Sequence, residues 1–206
     1  MTKAARALAE SAAILSDLDG TLIDSSEAVQ RVWDRFSKRH GLDTRTVIDY
    51  VYGRPPREAI RVLLPEADHE AEAAAIDAAE LRDVAGVRGL PGAAELLNGG
   101  HPLAIVTSCT DALARARLAA AGLPAPEVLI SADSVAHGKP DPACFLLAAD
   151  RLGVPIANCV VLEDSPAGIT AGRLAGAQVI GLPTTRPREA LVEADFLAED
   201  LASLIS

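Results

Sequence analysis

From Pro91 onward the chain alternates short apolar runs with segments of helical length, and this alternation restricts the fold more than any other feature. The apolar runs are Leu103–Thr107, Val128–Ile130, Cys159–Leu162 and Ala177–Leu182. Between and around them lie Pro91–Asn98, Ala112–Ala121, Pro142–Leu152 and Ser165–Ala175, helical in composition and each stopped by a glycine: Gly99, Gly122, Gly153 and Gly176. Strands this uniformly apolar are buried on both faces, and strand–helix alternation builds a parallel sheet between two layers of helices. The fold class is therefore α/β, with three layers and a mostly parallel sheet.

One further strand precedes this array. Ile14, Leu15 and Leu18 supply an apolar run that leads into Asp17 and Asp19, and Gly20-Thr21 forms the turn behind them. Residues two apart in extended backbone point to the same side, so both carboxylates face one point. Close like charges are costly unless a cation joins them or one carries a proton. A lone Asp-x-Asp reads as the start of a solvated loop. With the apolar run before it and Gly-Thr-Leu after it, an oxygen-lined pocket for a hard divalent metal is the better reading.

Residues 25 to about 88 carry no strand pattern. Ser26–His40 is a helix that Ser25 or Ser26 can cap, with Val29, Val32, Trp33 and Phe36 on one face and Gly41 as its stop. Trp33, the only tryptophan, reads as packing. A short helix spans about Asp43–Tyr50, and the turn Gly53-Arg54-Pro55-Pro56-Arg57 leads into another that ends near Leu64, before Pro65. Glu66–Val84 is alanine-rich and acidic, helical by propensity, anchored by Ile76, Leu81 and Val84, with its acids on a solvated face. This stretch is a helical insertion between the first strand and the next. Thr2–Ser11 reads as a loosely ordered lead-in.

Half the residues are hydrophobic but only 3% aromatic, so the core is built from Ala, Leu, Val and Ile. The formal charge of −10 disfavours nucleic acid and anionic membranes as partners. No apolar run spans a membrane, and the first residues lack a signal-peptide pattern. Cys109, Cys144 and Cys159 lie far apart, which argues for a reducing, cytoplasmic setting and against disulfides or structural zinc. With no long heptad, a monomer is the default. Among 19 basic residues only Lys3, Lys38 and Lys139 are lysines. In so arginine-rich a chain, Lys139 in His137-Gly138-Lys139-Pro140 is either an ordinary surface lysine or a residue kept for its point charge. The histidines His40, His69 and His101 read as surface or helix-end residues.

Ligands of open α/β sheets sit outside the carboxyl ends of the strands. Three such ends carry polar residues here: Asp17 and Asp19, Thr107-Ser108, and Glu163-Asp164, with Lys139 in the loop before the helix that leads to the last. Acids, hydroxyls and one lysine gathered at one edge suit a metal-bound phosphoryl group.

Four motifs in this order resemble the haloacid dehalogenase (HAD) superfamily, and within it the small sugar-phosphate phosphatases and β-phosphoglucomutase relatives. They are Asp17-Leu18-Asp19-Gly20-Thr21-Leu22, Ile105-Val106-Thr107-Ser108, Lys139-Pro140, and Leu162-Glu163-Asp164-Ser165-Pro166-Ala167-Gly168-Ile169. The resemblance implies a three-layer Rossmann-like core over residues 1–24 and 89–206, with a small helical cap domain, 25–88, inserted after the first strand. It also implies a Mg²⁺-dependent phosphatase that hydrolyses a small phosphorylated metabolite, a sugar or polyol phosphate, through an aspartyl-phosphate.

By that resemblance Asp17 is the nucleophile and Asp19 the general acid, then base. The metal is held by Asp17, the Asp19 main-chain carbonyl and Asp164, with Glu163 a ligand either directly or through water. Thr107 and Ser108 hold phosphoryl oxygens, and Lys139 neutralises charge while orienting the nucleophile. Haloacid dehalogenases lack the second acid, so Asp19 favours phosphoryl transfer over carbon–halogen chemistry. The mutases carry a histidine where Val29 stands here, which favours hydrolysis over isomerisation of a sugar phosphate. A phospho-accepting signalling module is a further alternative, disfavoured by the Asp-x-Asp-Gly-Thr order and the insertion. In the cap, Arg54 and Arg57 either contact the rest of the substrate or solvate their loop.

Overall fold

In the computed structural model, which describes residues 1–51 and 54–205, the chain opens with a helix rather than a loose lead-in. Lys3–Glu10 (α1) is capped by the Thr2 hydroxyl, which accepts the Ala5 N–H at 3.1 Å. Ala4, Ala5, Ala7 and Leu8 line its buried face. An alanine-rich amphipathic octamer is marginal alone and is held by the surface it covers.

Ala13–Ser16 (β1) and Ile23–Asp24 (β2) follow, then the helices Ser26–His40 (α2), Thr44–Val51 (α3), Pro56–Leu63 (α4) and His69–Arg82 (α5). Gly53, the first residue of the expected turn, lies outside the described residues. Arg88–Gly89 (β3) and Ala93–Asn98 (α6) lead into Leu103–Val106 (β4), Asp111–Ala120 (α7), Val128–Ile130 (β5), Ala143–Leu152 (α8) and Cys159–Glu163 (β6). Pro166–Ala175 (α9), Gln178–Gly181 (β7), Phe196–Leu197 (β8) and Ala202–Ile205 (α10) complete the chain. Among the described residues no helix is long and apolar enough to cross a membrane.

The main sheet runs β5-β4-β1-β6-β7-β8, and every pairing in it is parallel. Successive residues of a strand serve opposite faces, which is why the strands read as unbroken apolar runs. Ile14, Ile105, Val160, Leu162 and Ile180 pack on one face, against Leu8, Leu96, Leu118 and Leu204 from α1, α6, α7 and α10. Leu15, Val106, Val161 and Val179 pack on the other, against Phe145 and Ala148 of α8 and Ile169 and Ala175 of α9. β1 lies between β4 and β6, so the order reverses beside it, and the crevice this creates is where ligands of such sheets bind.

The four helices between β2 and β3 have an apolar cluster of their own. Val32, Trp33, Phe36, Val47, Val51, Ile60, Ala73 and Ile76 are buried together, with Trp33 edge-on to Phe36 at 5.1 Å. Leu81 is exposed instead of anchoring α5, and Glu80 takes the buried place on that helix. Where the chain leaves and re-enters the sheet body, β2 and β3 pair antiparallel, Ile23 opposite Gly89 and Asp24 opposite Arg88. Two-residue strands carry too little periodicity to be legible in sequence. The same holds for β8, the edge strand after the last apolar run. Gly41 ends α2 in the left-handed conformation, as read, but neither serine caps it with its side chain. The Asp24 carboxylate accepts the Ser26 N–H at 3.0 Å.

The seated α1 gives a measurable expectation. Leu8→Ala lowers the urea-unfolding free energy by about 2 kcal/mol, the low end for a buried leucine because a terminal helix relaxes easily. An unchanged midpoint would mean that α1 does not pack on the sheet in solution.

Candidate active site

The Asp17 N–H donates to Leu162 O at 2.9 Å, so the β1–β6 ladder extends to the first acid and delivers it at the carboxyl edge. Gly20, at φ +90°, then turns the chain sharply, and its N–H is bonded to Ile23 O at 2.7 Å. A Cβ on Gly20 would run into the Asp164 carboxylate, so this glycine lets the first and last motifs approach each other.

Lys139 is buried, not a surface lysine, and it organises the site. Its ammonium donates to Asp17 Oδ1 at 2.6 Å, to Glu163 Oε1 at 2.6 Å and to the Val106 carbonyl at 2.9 Å. All three donors are thus used, one on the end of each of β1, β4 and β6. Burial works against this charge, but Asp17 and Glu163 outweigh it and keep the lysine protonated well above its usual range. The Phe145 ring lies 5.3 Å from the same nitrogen and backs it.

Glu163 is fully buried and its carboxylate accepts four hydrogen bonds, three of them on one oxygen. Oε1 takes Lys139, while Oε2 accepts the N–H groups of Asp164 and Ser165, each at 3.1 Å, and the Ser165 hydroxyl at 2.8 Å. A Cβ on Gly168 would overlap this carboxylate, which explains a glycine in the first turn of α9. Asp164 accepts a hydrogen bond from the Thr185 hydroxyl.

Oxygens of Asp17, Glu163 and Asp164 lie within 4.8 Å of one another, all buried. Three carboxylates facing one lysine leave excess negative charge in a low-dielectric pit. Burial pushes Asp17 well above the usual carboxylate range, partly offset by Lys139, and burial together with the Glu163 charge brings Asp164 up to about 7. Hard oxygen donors with uncompensated charge fit a divalent cation.

The Asp19 side chain stands apart from that cluster. Its Oδ1 accepts the Ser25 hydroxyl at 2.6 Å and an Arg117 N–H at 3.0 Å. Arg117 also reaches Glu80 Oε2 on α5 at 3.2 Å. Neither Arg117 nor Glu80 was singled out by sequence, and the supposed solvated face of α5 is wrong at this position. A signal did exist. Leu113, Ala114, Arg117 and Leu118 form the buried stripe of α7, and Ala73, Ile76 and Glu80 that of α5; a charge on an apolar stripe needs a buried partner.

Asp17, Asp19, Thr107, Ser108, Lys139 and Asp164 all line one cleft between the sheet edge and the four-helix insertion. The Thr107 hydroxyl is held by the Cys109 N–H at 3.2 Å. Arg54 borders the same cleft and lies 4.7 Å over the Tyr50 ring. Arg57 does not line it; it is half-exposed, pairs with Glu70 and faces a neighbouring cavity that shares Thr107, Ser108 and Lys139. Thr185, which also lines the cleft, comes from a loop to which the sequence reading gave no role. Cys109, Cys144 and Cys159 are free thiols.

In sequence and in fold the chain is similar to known proteins. Residues 12–176 match the family model described as hydrolase, haloacid dehalogenase-like. The chain is 42% identical over 199 residues to hexitol phosphatase A of Escherichia coli (strain K12), covering 92% of this chain and 91% of that one. It is 40% identical over 206 residues to validoxylamine A 7'-phosphate phosphatase of Streptomyces hygroscopicus subsp. limoneus, covering 92% and 94%. Among solved structures, CbbY from Rhodobacter sphaeroides in complex with phosphate superposes with a TM-score of 0.83 at 28% identity, over 94% of this chain and 96% of that one.

The raised carboxyl groups fix the sign of a pH effect. Asp17 and Asp164 bind protons more tightly folded than unfolded, so without a counter-ion the folded state loses stability as pH rises toward and through about 7. A cation must displace those protons at low pH and meets bare carboxylates at high pH. The rise in Tm on adding a hard divalent cation is therefore larger at about pH 8 than at about pH 5.5. Equal shifts in thermal unfolding would rule out this cluster as the binding site.

Proposed function

The chain belongs to the haloacid dehalogenase-like hydrolases, and from that membership we propose that it is a phosphoric monoester hydrolase acting on a small sugar or polyol phosphate. The observation that carries the reading is the placement of Lys139 between Asp17 and Glu163, with Asp164 beside them and Asp19 two residues along at the same edge. Two relatives that align with over nine-tenths of the chain are named as phosphatases, a hexitol phosphatase and a validoxylamine A 7'-phosphate phosphatase. Val29 lines the cleft where a mutase of this family would have a histidine, which favours hydrolysis over isomerisation.

In this reading residues 25–88 form a cap over the core of 1–24 and 89–206, and the substrate is enclosed between them. The Asp17 carboxylate attacks phosphorus in line. The bond to the leaving oxygen breaks, its electron pair stays on that oxygen, and Asp19 supplies the proton. Asp19 then takes a proton from water, whose oxygen attacks the aspartyl-phosphate. The bond from phosphorus to Asp17 breaks, which releases inorganic phosphate and restores the carboxylate. Lys139 keeps Asp17 oriented throughout. Thr107, Ser108 and nearby main-chain N–H groups bind phosphoryl oxygens.

Asp17 and Asp164, with the Asp19 main-chain carbonyl, would hold Mg²⁺. Glu163, whose Oε1 takes only the Lys139 ammonium, would join them directly or through water, besides fixing Lys139. When bound, the ion neutralises charge on the phosphoryl group and can stabilise its transfer by several kcal/mol. Arg54, at the cleft wall, contacts the remainder of the substrate; Arg57 is a weaker candidate by its position outside the cleft.

Phosphate release from a panel of mannitol 1-phosphate, glycerol 1-phosphate, fructose 1-phosphate and p-nitrophenyl phosphate tests the proposal. Turnover is expected with Mg²⁺, stops on addition of EDTA and is absent in Asp17→Asn. Robust turnover by that variant would overturn the assigned nucleophile, and a parent enzyme inactive across the panel would overturn the reading.

A further inference from the structure

The mechanism above leaves one buried cation without a part. Arg117 projects from α7, a helix of the sheet body, and is 4% exposed. One of its terminal nitrogens donates to Asp19 Oδ1 and the other to Glu80 Oε2 of α5, so it bridges the sheet body and the helical insertion. Its Nε is buried with no hydrogen-bond partner among the described residues. Apolar residues of similar size often replace buried ion networks at no loss of stability, so packing alone does not account for Arg117.

The bonds to Asp19 are one-sided. Ser25 Oγ and Arg117 both donate to Oδ1, and among the described residues no protein group donates to Oδ2. Two donors on one oxygen stop the carboxyl group from rotating and leave the other oxygen for chemistry. Lys139 cannot substitute, since its three donors are spent on Asp17, Glu163 and Val106. Ser25 supplies a hydrogen bond but no charge. Without Arg117, Asp19 and Glu80 would also confront each other as like charges.

We propose that Arg117 is a positioning residue, tied in place by Glu80, which turns the Asp19 carboxyl group so that its Oδ2 exchanges the proton with the reacting oxygen. This rests on the phosphatase reading and on Asp19 as its general acid. It adds that the acid is aligned by a residue pair spanning the two parts of the molecule, so alignment is complete only when α5 is seated against α7.

Leaving groups of different basicity separate alignment from mere architecture. A p-nitrophenolate departs without protonation, whereas an alkoxide needs the proton as it leaves. The value of kcat/KM reports events up to that departure and is insensitive to the later hydrolysis of the aspartyl-phosphate. Arg117→Ala should therefore lose about 10²-fold in kcat/KM on mannitol 1-phosphate, while losing only a few-fold on p-nitrophenyl phosphate. Arg117→Lys should recover most of the alkyl-phosphate loss, and Glu80→Gln should fall between, with the same preference for the aryl substrate. If Arg117→Ala does not fold, as judged by thermal unfolding, Glu80→Gln carries the same comparison. Equal losses on both substrates, or none, in an active parent would overturn the positioning role alone; a parent inactive on both would overturn the phosphatase reading beneath it.

Discussion

Lys139 bonds to the ends of three neighbouring strands at once, and the arrangement of the sheet's carboxyl edge follows from that contact. An ammonium in so dry a place is tolerable only if carboxylates meet it, and carboxylates at 0% and 7% exposure are tolerable only if a cation meets them. Each of Asp17, Glu163 and Lys139 is therefore costly without the other two. The parallel pairing of β1 with β4 and β6 brings their carboxyl ends to a common level, so the triad closes without distorting any strand. Two glycines then permit what side chains would block: Gly20 lets the first turn lie against Asp164, and Gly168 gives the Glu163 carboxylate its space.

A second charged group stands beside the first and does different work. Asp17 belongs to the acidic, metal-suited cluster, while Asp19, two residues on, is bonded to Ser25 and Arg117 and so faces another environment. Two chemically identical side chains can take opposite parts in one reaction when their surroundings differ in this way. The helical insertion contributes to that difference directly, because Glu80 meets Arg117 across the cleft. The insertion thus completes the polar surroundings of a residue that the sheet body alone presents.

Much of this was legible in the linear chain. Apolar runs buried on both faces announce their strands, glycines punctuate the helices, and the polar residues at Asp17, Thr107, Lys139 and Asp164 fall where a parallel sheet collects its ligands. What escaped had physical reasons for doing so. The α1 octamer is amphipathic but too short to hold by itself, and gains order from the face it covers. β2, β3 and β8 are too short to show a period. Glu80 belongs to a helix rich in acids, and only the neighbouring helices decide which of those acids turns inward. Arg57 looked equivalent to Arg54, but the two lie on different walls and only Arg54 borders the cleft with Asp17.

The order of elements, the parallel sheet and the identity of the residues at its carboxyl edge were determined by the sequence itself, because hydrophobic periodicity and turn chemistry are local properties. Which charges pair was decided only in three dimensions. The interval from Asp17 to Lys139, or from Asp19 to Arg117, has no bearing on their contact until strand order and helix packing set it. Burial then turns such a contact from a weak surface attraction into a requirement, since an ion in the interior must find its partner there.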